Sequence, residues 1–281
     1  VTLAGWACAR FGVLSPTLQQ GLGEFAFTIA IPAVVFTTIV RLDDVPVIPL
    51  AAFAVSTVVV GVLVYLLSPA RTHGEKVINS MAGAYVNSGN LGIPLAIYVL
   101  GDASLVVIVV AFQTVIVTPL IVGLLDAAPK RLWSLPLRVP VVLASLAGVL
   151  VLATGVTLPE VMTRPLDIIG GAAAPAALFA LGMSLHAAEK PNLANPSLWL
   201  ATSAKVVAQP LIAFAAAKFL FGLNGLDLLA VTLFAGLPTA QNTFVYASQY
   251  KVPNGLSRDA VLVTSVLSLL SLSVILGMIG S

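Results

Sequence analysis

Nine long, predominantly apolar stretches follow one another along the chain, at about 19–40, 46–68, 76–100, 103–125, 135–154, 163–186, 197–221, 226–249 and 257–279. Crossing about 30 Å of hydrocarbon takes about 20 such residues in a helix. A helix satisfies its own N–H and C=O groups without water, so each stretch predicts a transmembrane helix. Composition points the same way. The 281 residues are 59% hydrophobic and 9% charged, where an average soluble domain carries about 25% charged residues. A net charge of +2 gives no reason to expect a nucleic-acid partner. The single cysteine, Cys8, rules out an intrachain disulfide and a Cys-based metal cage. Neither a metal nor a cofactor is expected.

Ahead of the nine stretches, Val1 to Phe11 is apolar but too short to cross, begins without Met and lacks the basic start of a signal peptide. It reads as the end of a first helix. The expected fold is therefore an all-α membrane protein of ten transmembrane helices, spans 1 to 10, the first one truncated.

An internal repeat supports that count. At an offset of 143 residues, Gly5 meets Gly148, Gly12 meets Gly155, Val13 meets Val156, Pro16 meets Pro159, Pro32 meets Pro175 and Phe36 meets Phe179. Glu24 and Asp167, both acidic, also align. The offset covers five helices, and an odd number sends the second half into the membrane from the opposite side. Residues 1–125 and 126–281 are thus expected to be two inverted five-helix repeats, an arrangement common in secondary transporters.

Lys and Arg set the orientation. Loops 1–2, 3–4, 5–6, 7–8 and 9–10 hold nine cations: Arg10, Arg71, Lys76, Lys130, Arg131, Arg138, Lys190, Lys251 and Arg258. The other loops hold three, Arg41, Arg164 and Lys218, while Lys205 lies inside span 8. This asymmetry puts loops 3–4, 5–6 and 9–10 in the cytoplasm and both termini outside, in the plasma (inner) membrane.

Two spans carry helix-breaking sequences at corresponding places in the two halves. Span 4 contains Asn87-Ser88-Gly89-Asn90-Leu91-Gly92-Ile93-Pro94, and span 9 contains Gly236-Leu237-Pro238-Thr239-Ala240-Gln241-Asn242-Thr243. Glycine weakens a helix, and proline removes a donor and clashes with the preceding turn. Each break predicts a half-helix whose N-terminus points into the membrane centre, where free N–H groups and the dipole favour an anion. Such a pair is a pointer to a transporter's binding site. Asn87, Asn90, Gln241 and Asn242 add amides that donate to carboxylate oxygens or accept from a cation. The candidate substrate site comprises Asn87, Ser88, Asn90, Gly92, Pro94, Pro238, Thr239, Gln241, Asn242 and Thr243, with Gln113 and Lys205. The competing reading of each break is a Pro/Gly kink whose polar side chains bond the local backbone.

These residues also carry a resemblance. The strings NSGNLGIPL in span 4 and LPTAQNTFVYASQYKV in span 9 resemble the auxin efflux carrier family, which includes plant auxin exporters and bacterial carriers of malonate, malate and similar acids. Pro32 and Phe36 in span 2, PAALFALGMSL in span 7, and Lys205 followed by Pro210 in span 8 extend the similarity over nearly the whole chain. The resemblance implies that the broken spans 4 and 9 cross at their breaks, with substrate bound at the crossover. It implies an elevator-type movement in which spans 1, 2, 6 and 7 form a scaffold, dimeric through those helices, and spans 3–5 and 8–10 carry substrate. The short loop 5–6, and Val86 where plant members have Pro, indicate a bacterial-type member.

The bile-acid sodium symporters share that fold, and a sodium-coupled symporter is the alternative function. Sodium sites need acidic and amide oxygens near the crossover. All eleven acids here (Glu24, Asp43, Asp44, Glu75, Asp102, Asp126, Glu160, Asp167, Glu189, Asp227 and Asp259) fall at or near expected helix ends. Lys205 lies about 12 Å into its span at about 1.5 Å per residue. Two readings are open for it, a role near the crossover or a side chain that snorkels to the interface. Thr114, Gln209, Tyr246, Ser248 and Gln249 either face the same cavity or bond a neighbouring helix. His73 and His186 read as interfacial. An intramembrane enzyme would need paired acids, a Ser/His arrangement or a metal motif at depth, and neither HExxH nor GxSxG occurs. The expected function is secondary transport of small organic anions, with membrane lipid as the surrounding partner.

Overall fold

The computed structural model describes residues 1–41, 46–125, 140–186, 191–253 and 255–280. The expected start of span 6 near 135 lies outside the described residues. So do the cations Lys130, Arg131, Arg138 and Lys190, the acids Asp43, Asp44, Asp126 and Glu189, and the side chains of His186, Ser248 and Gln249.

Among the described residues all the regular structure is helical, apart from one antiparallel bridge between Val86 and Thr239. In chain order the helices are α1 (Thr2–Arg10), α2 (16–40), α3 (Val47–Leu67), α4 (His73–Ala84), α5 (Ser88–Leu100), α6 (Ser104–Leu125) and α7 (Pro140–Thr154). They continue with α8 (Glu160–Gly171), α9 (Ala173–His186), α10 (Pro196–Leu220), α11 (Gly225–Ala235), α12 (Asn242–Gln249) and α13 (Gly255–Ile279). Five described segments, Gly21–Val40, Val47–Leu67, Ser104–Leu125, Pro196–Leu220 and Gly255–Ile279, are long and apolar enough to cross a membrane. The expected spans 4 and 9 are each two helices, because Tyr85–Asn87 and the residues from Gly236 to Gln241 leave the helical path.

Proline explains a second irregularity. Among the described residues six five-residue π-type turns occur. Two close their helices (Ala96–Leu100 and Ala216–Leu220), and helix continues beyond the other four, at Ala26–Ala30, Ser88–Gly92, Gln113–Val117 and Ala204–Ala208. Each of the latter four ends two residues before a proline: Pro32, Pro94, Pro119 and Pro210. A proline ring cannot donate to, and clashes with, the carbonyl four residues back, and widening the preceding turn relieves both. Pro94 therefore reshapes α5 without breaking it.

The chain divides into two compact units. One comprises Val1–Val45, Gly89–Val115 and Arg131–Glu189. Within it α1 and the first part of α2 pack on α9, and the second part of α2 packs on α7 and α8. Gly12 (φ 66°) and Gly155 (φ 65°) close α1 and α7 in the left-handed region, where a side chain would be strained. Pro16 and Pro159 then set the starts of α2 and α8. Close approach depends on glycine as well. A Cβ on Gly5 would stand 2.2 Å from the Phe179 carbonyl oxygen, and one on Gly148 would stand 3.4 Å from that of Phe36. The 143-residue offset exchanges these two contacts and the two left-handed glycines. Arg41 at the end of α2 meets Asp167 of α8 in a two-pronged ion pair, with Nη–Oδ distances of 2.9 and 2.7 Å. Hydrogen bonding to Asp167 raises the pKa of the Arg41 guanidinium.

The other unit comprises Pro46–Ser88, Ile116–Lys130 and Lys190–Ser281. Here α4 packs on α3 and on α10, α11 lies against α3 and α13, and α12 lies against α4 and α13. Thr72 and Glu75 form a reciprocal cap at the start of α4. Hydrogen bonds from Thr72 hold the Glu75 carboxyl below its ordinary pKa.

Gly5→Ala is expected to destabilise the protein by about 1–3 kcal/mol, because the added methyl meets a backbone oxygen and α1 must move away from α9. Gly21→Ala, at a helical position with nothing within 4 Å, is expected to leave stability unchanged or slightly raised. Thermal unfolding of the two variants in detergent compares them directly.

Candidate functional site

A helix that stops inside a protein leaves its last carbonyls without partners, and each must find one. α4 stops at Ala84, and Tyr85 takes extended backbone (φ −85°, ψ 112°). The Tyr85 amide still bonds the Met81 carbonyl at 2.8 Å. The Ala82 carbonyl accepts from the Thr239 hydroxyl at 2.6 Å. The extended residues on either side pair like a minimal ribbon: the Asn87 amide donates to the Pro238 carbonyl at 2.8 Å and the Ala240 amide to the Tyr85 carbonyl at 3.1 Å. Thr239 completes the junction by donating its amide to Thr264 Oγ1 of α13 at 3.0 Å. The break between α4 and α5 and the break between α11 and α12 thus satisfy each other.

The Ala84 carbonyl takes its partners from α10. Lys205 Nζ donates to it at 3.4 Å and Gln209 Nε2 at 3.0 Å. One turn apart on α10, the Lys205 ammonium also donates to Gln209 Oε1, and Gln209 Nε2 reaches Thr57 Oγ1 of α3 at 3.4 Å. Both side chains are fully buried. Lys205 therefore does not snorkel. It places its amine, a donor, at the C-terminal end of α4, against the last carbonyl of that helix.

Beyond the bridge, α12 begins at Asn242, and the amides of Gln241 and Asn242 are exposed while Thr239 and Thr243 are fully buried. The Thr243 hydroxyl has no hydrogen-bond partner among the described residues. A polar cluster lies alongside: the Tyr85 hydroxyl is 3.1 Å from Thr118 Oγ1 of α6 and also bonds the Asn242 side chain, and Tyr246 bonds Thr118 as well. Asn87, Ser88, Pro238, Thr239, Gln241, Asn242, Thr243 and Lys205 all belong to this unit.

Asn90, Gly92, Pro94 and Gln113 belong to the other unit and are all buried there. Asn90 and Gln113 sit in the widened turns that precede Pro94 and Pro119, as Lys205 does before Pro210. Thr114 bonds the Val110 carbonyl of its own helix at 2.7 Å. Tyr85, Thr118, Thr57 and Thr264 were not foreseen from the sequence. Their roles come from partners on other helices, and no local pattern marks them.

Thr239→Val keeps the shape of the side chain but leaves the buried Ala82 carbonyl without its donor, which is expected to cost about 1–3 kcal/mol. Thermal unfolding reads the loss, and hydrogen exchange is expected to rise at residues 82–87 and 238–242 before it rises elsewhere.

The family described as "Membrane transport protein" matches residues 1–132 and 127–276. A protein of Rhizobium meliloti (strain 1021) named "Putative malonate transporter" is 28% identical over 280 residues, covering 92% of this chain and 87% of its own. An "Uncharacterized transporter" of Methanothermobacter thermautotrophicus is 26% identical over 288 residues, covering 97% of this chain and 93% of its own. With the match running along nearly the whole sequence, the chain belongs to the membrane transport protein family, integral membrane transporters of the auxin efflux carrier type.

Proposed function

We propose that the protein is a secondary transporter of small organic anions, with dicarboxylates of malonate's size as the first candidates. The observation that carries this reading is the start of α12, where the exposed amides of Gln241 and Asn242 stand beside the buried hydroxyl of Thr243, which has no hydrogen-bond partner among the described residues. Neutral donors at a helix N-terminus suit a carboxylate. The relationship to a protein whose name specifies malonate supports the same class of substrate.

In this reading the substrate's ligands are Asn87, Ser88, Pro238, Thr239, Gln241, Asn242 and Thr243, continuing along the chain to Asn90, Gly92 and Pro94, with Gln113. Lys205 acts as a positioning residue through the Ala84 carbonyl. The ten-span inverted repeat, with halves 1–125 and 126–281, is supported by the contacts and glycine caps that the 143-residue offset exchanges. Spans 1, 2, 6 and 7 act as the scaffold of a homodimer, and spans 3–5 and 8–10 carry substrate by an elevator-type movement. The protein sits in the plasma membrane with both termini outside.

Purified protein in proteoliposomes is expected to take up labelled malonate saturably and to show counterflow, which a channel does not. Losing one hydrogen bond to a charged substrate weakens binding about tenfold or more. Asn242→Ala and Asn87→Ala are each expected to raise KM by that factor, and unchanged values would remove the site from the break.

Replacing external sodium with potassium is expected to leave uptake unchanged. A requirement for sodium would instead establish the sodium-coupled symporter.

A further inference from the structure

A cleft of about 410 Å³ runs along the outside of α4, between α3 and the second half of α6. It extends from His73 to Tyr85, the whole length of α4, or about 18 Å at about 1.5 Å per residue. It lies within one unit and does not include the amides assigned to substrate. Its floor is apolar, with Met81 and Ile121 buried. The few polar groups along it are already committed: the Ser80 hydroxyl donates to the Gly61 carbonyl at 2.7 Å and the Thr57 hydroxyl to Phe53 at 3.1 Å. A small dicarboxylate would find no donor there. The outer walls are open, with Val58, Val62, Leu120 and Leu124 between 46% and 60% exposed. Those walls belong to two helices long and apolar enough to span a bilayer, so the medium beside the cleft is hydrocarbon.

One end of the cleft has a different chemistry. His73 Nε2 is 3.0 Å from the Leu124 carbonyl, which only accepts, so this nitrogen donates and Nδ1 accepts from the Tyr65 hydroxyl at 2.8 Å. These two bonds pin α3, α4 and the end of α6 together at the cleft's mouth. Lys76 Nζ lies 5.9 Å from the centre of the Tyr65 ring. Arg71 lies close enough to influence Glu75 electrostatically, and the Glu75 carboxylate is itself bound to the Thr72 amide and hydroxyl at 3.1 and 2.9 Å. Two cations and one carboxylate, Arg71, Lys76 and Glu75, thus stand within three residues of His73 at the start of α4, Lys76 against the Tyr65 ring, beside the mouth of a cleft whose surface is mostly apolar.

We propose that this cleft is a binding site for an anionic phospholipid, with one acyl chain along α4 and the phosphate at Arg71 and Lys76. Basic pockets between membrane helices recognise anionic headgroups in this way. The cleft adjoins the proposed transport site at Tyr85 but contains none of the residues assigned to substrate, and it does not depend on what is transported.

The test is native mass spectrometry of the full chain in mild detergent, with equal amounts of palmitoyl-oleoyl phosphatidylglycerol and phosphatidylcholine added. The wild type is expected to retain phosphatidylglycerol preferentially. The preference is expected to fall about fivefold for each cation removed in Arg71→Gln and Lys76→Gln. Val62→Trp or Leu120→Trp, each at an exposed wall position, is expected to displace both lipids by filling the cleft, with thermal unfolding of the lipid-free protein unchanged. Equal retention of the two lipids by the wild type, or undiminished retention by the tryptophan variants, would overturn the proposal.

Discussion

Inside a bilayer a peptide group has no water to turn to, and an orphaned N–H or C=O costs several kcal/mol. A transport protein that interrupts a helix at depth must therefore supply partners for every group it frees. Here the partners come largely from a second interruption. The Asn87 amide bonds Pro238, the Ala240 amide bonds Tyr85, and the Thr239 hydroxyl bonds Ala82. Neither break is tolerable alone, which makes the two a single structural unit. The remainder of the site is arranged around that pairing.

The same requirement accounts for the buried lysine. The Ala84 carbonyl is the last of its helix, and the bridge does not reach it. Lys205 and Gln209 do, from one face of α10, and Gln209 continues to Thr57 on α3. A fully buried lysine amine needs acceptors for its donors. The Ala84 carbonyl and the Gln209 amide oxygen provide them. Lys205 and Gln209 together thus hold three helices around the break.

Much of this was legible in the sequence, and the limits have physical causes. Glycine, proline and asparagine in spans 4 and 9 marked the breaks because their backbone effects are local. The position of the first break was not fully legible. The helix leaves its path at Tyr85–Asn87, ahead of Gly89, Gly92 and Pro94, because the stopping point is decided by a partner strand up to 157 residues along the chain. Pro94 was read as part of the break, and it widens a turn instead. Tyr85 and Thr118 were missed for the same reason that Thr264 was: their hydroxyls act across helices. The glycines paired by the 143-residue offset were legible because glycine at a left-handed or tightly packed position has no substitute: Gly12 and Gly155 are left-handed, and Gly5 and Gly148 make close approaches.

The proposed site, built from neutral donors, has a consequence for transport itself. An anion held by a full opposing charge in a low-dielectric interior is bound strongly and released slowly, since Coulomb attraction there is far greater than in water. Amides, a hydroxyl and a helix terminus give a shallower well, with enough directionality to select a carboxylate. Lys205 does not deepen that well directly, because its ammonium is directed to Ala84 and Gln209. Its hydrogen bonds shape the break and are not directed to the proposed substrate. A carrier must bind on one side of the membrane and let go on the other. In the proposed site the division of labour meets both needs: Lys205 maintains the architecture of the break through Ala84 and Gln209, and uncharged groups are left for the cargo.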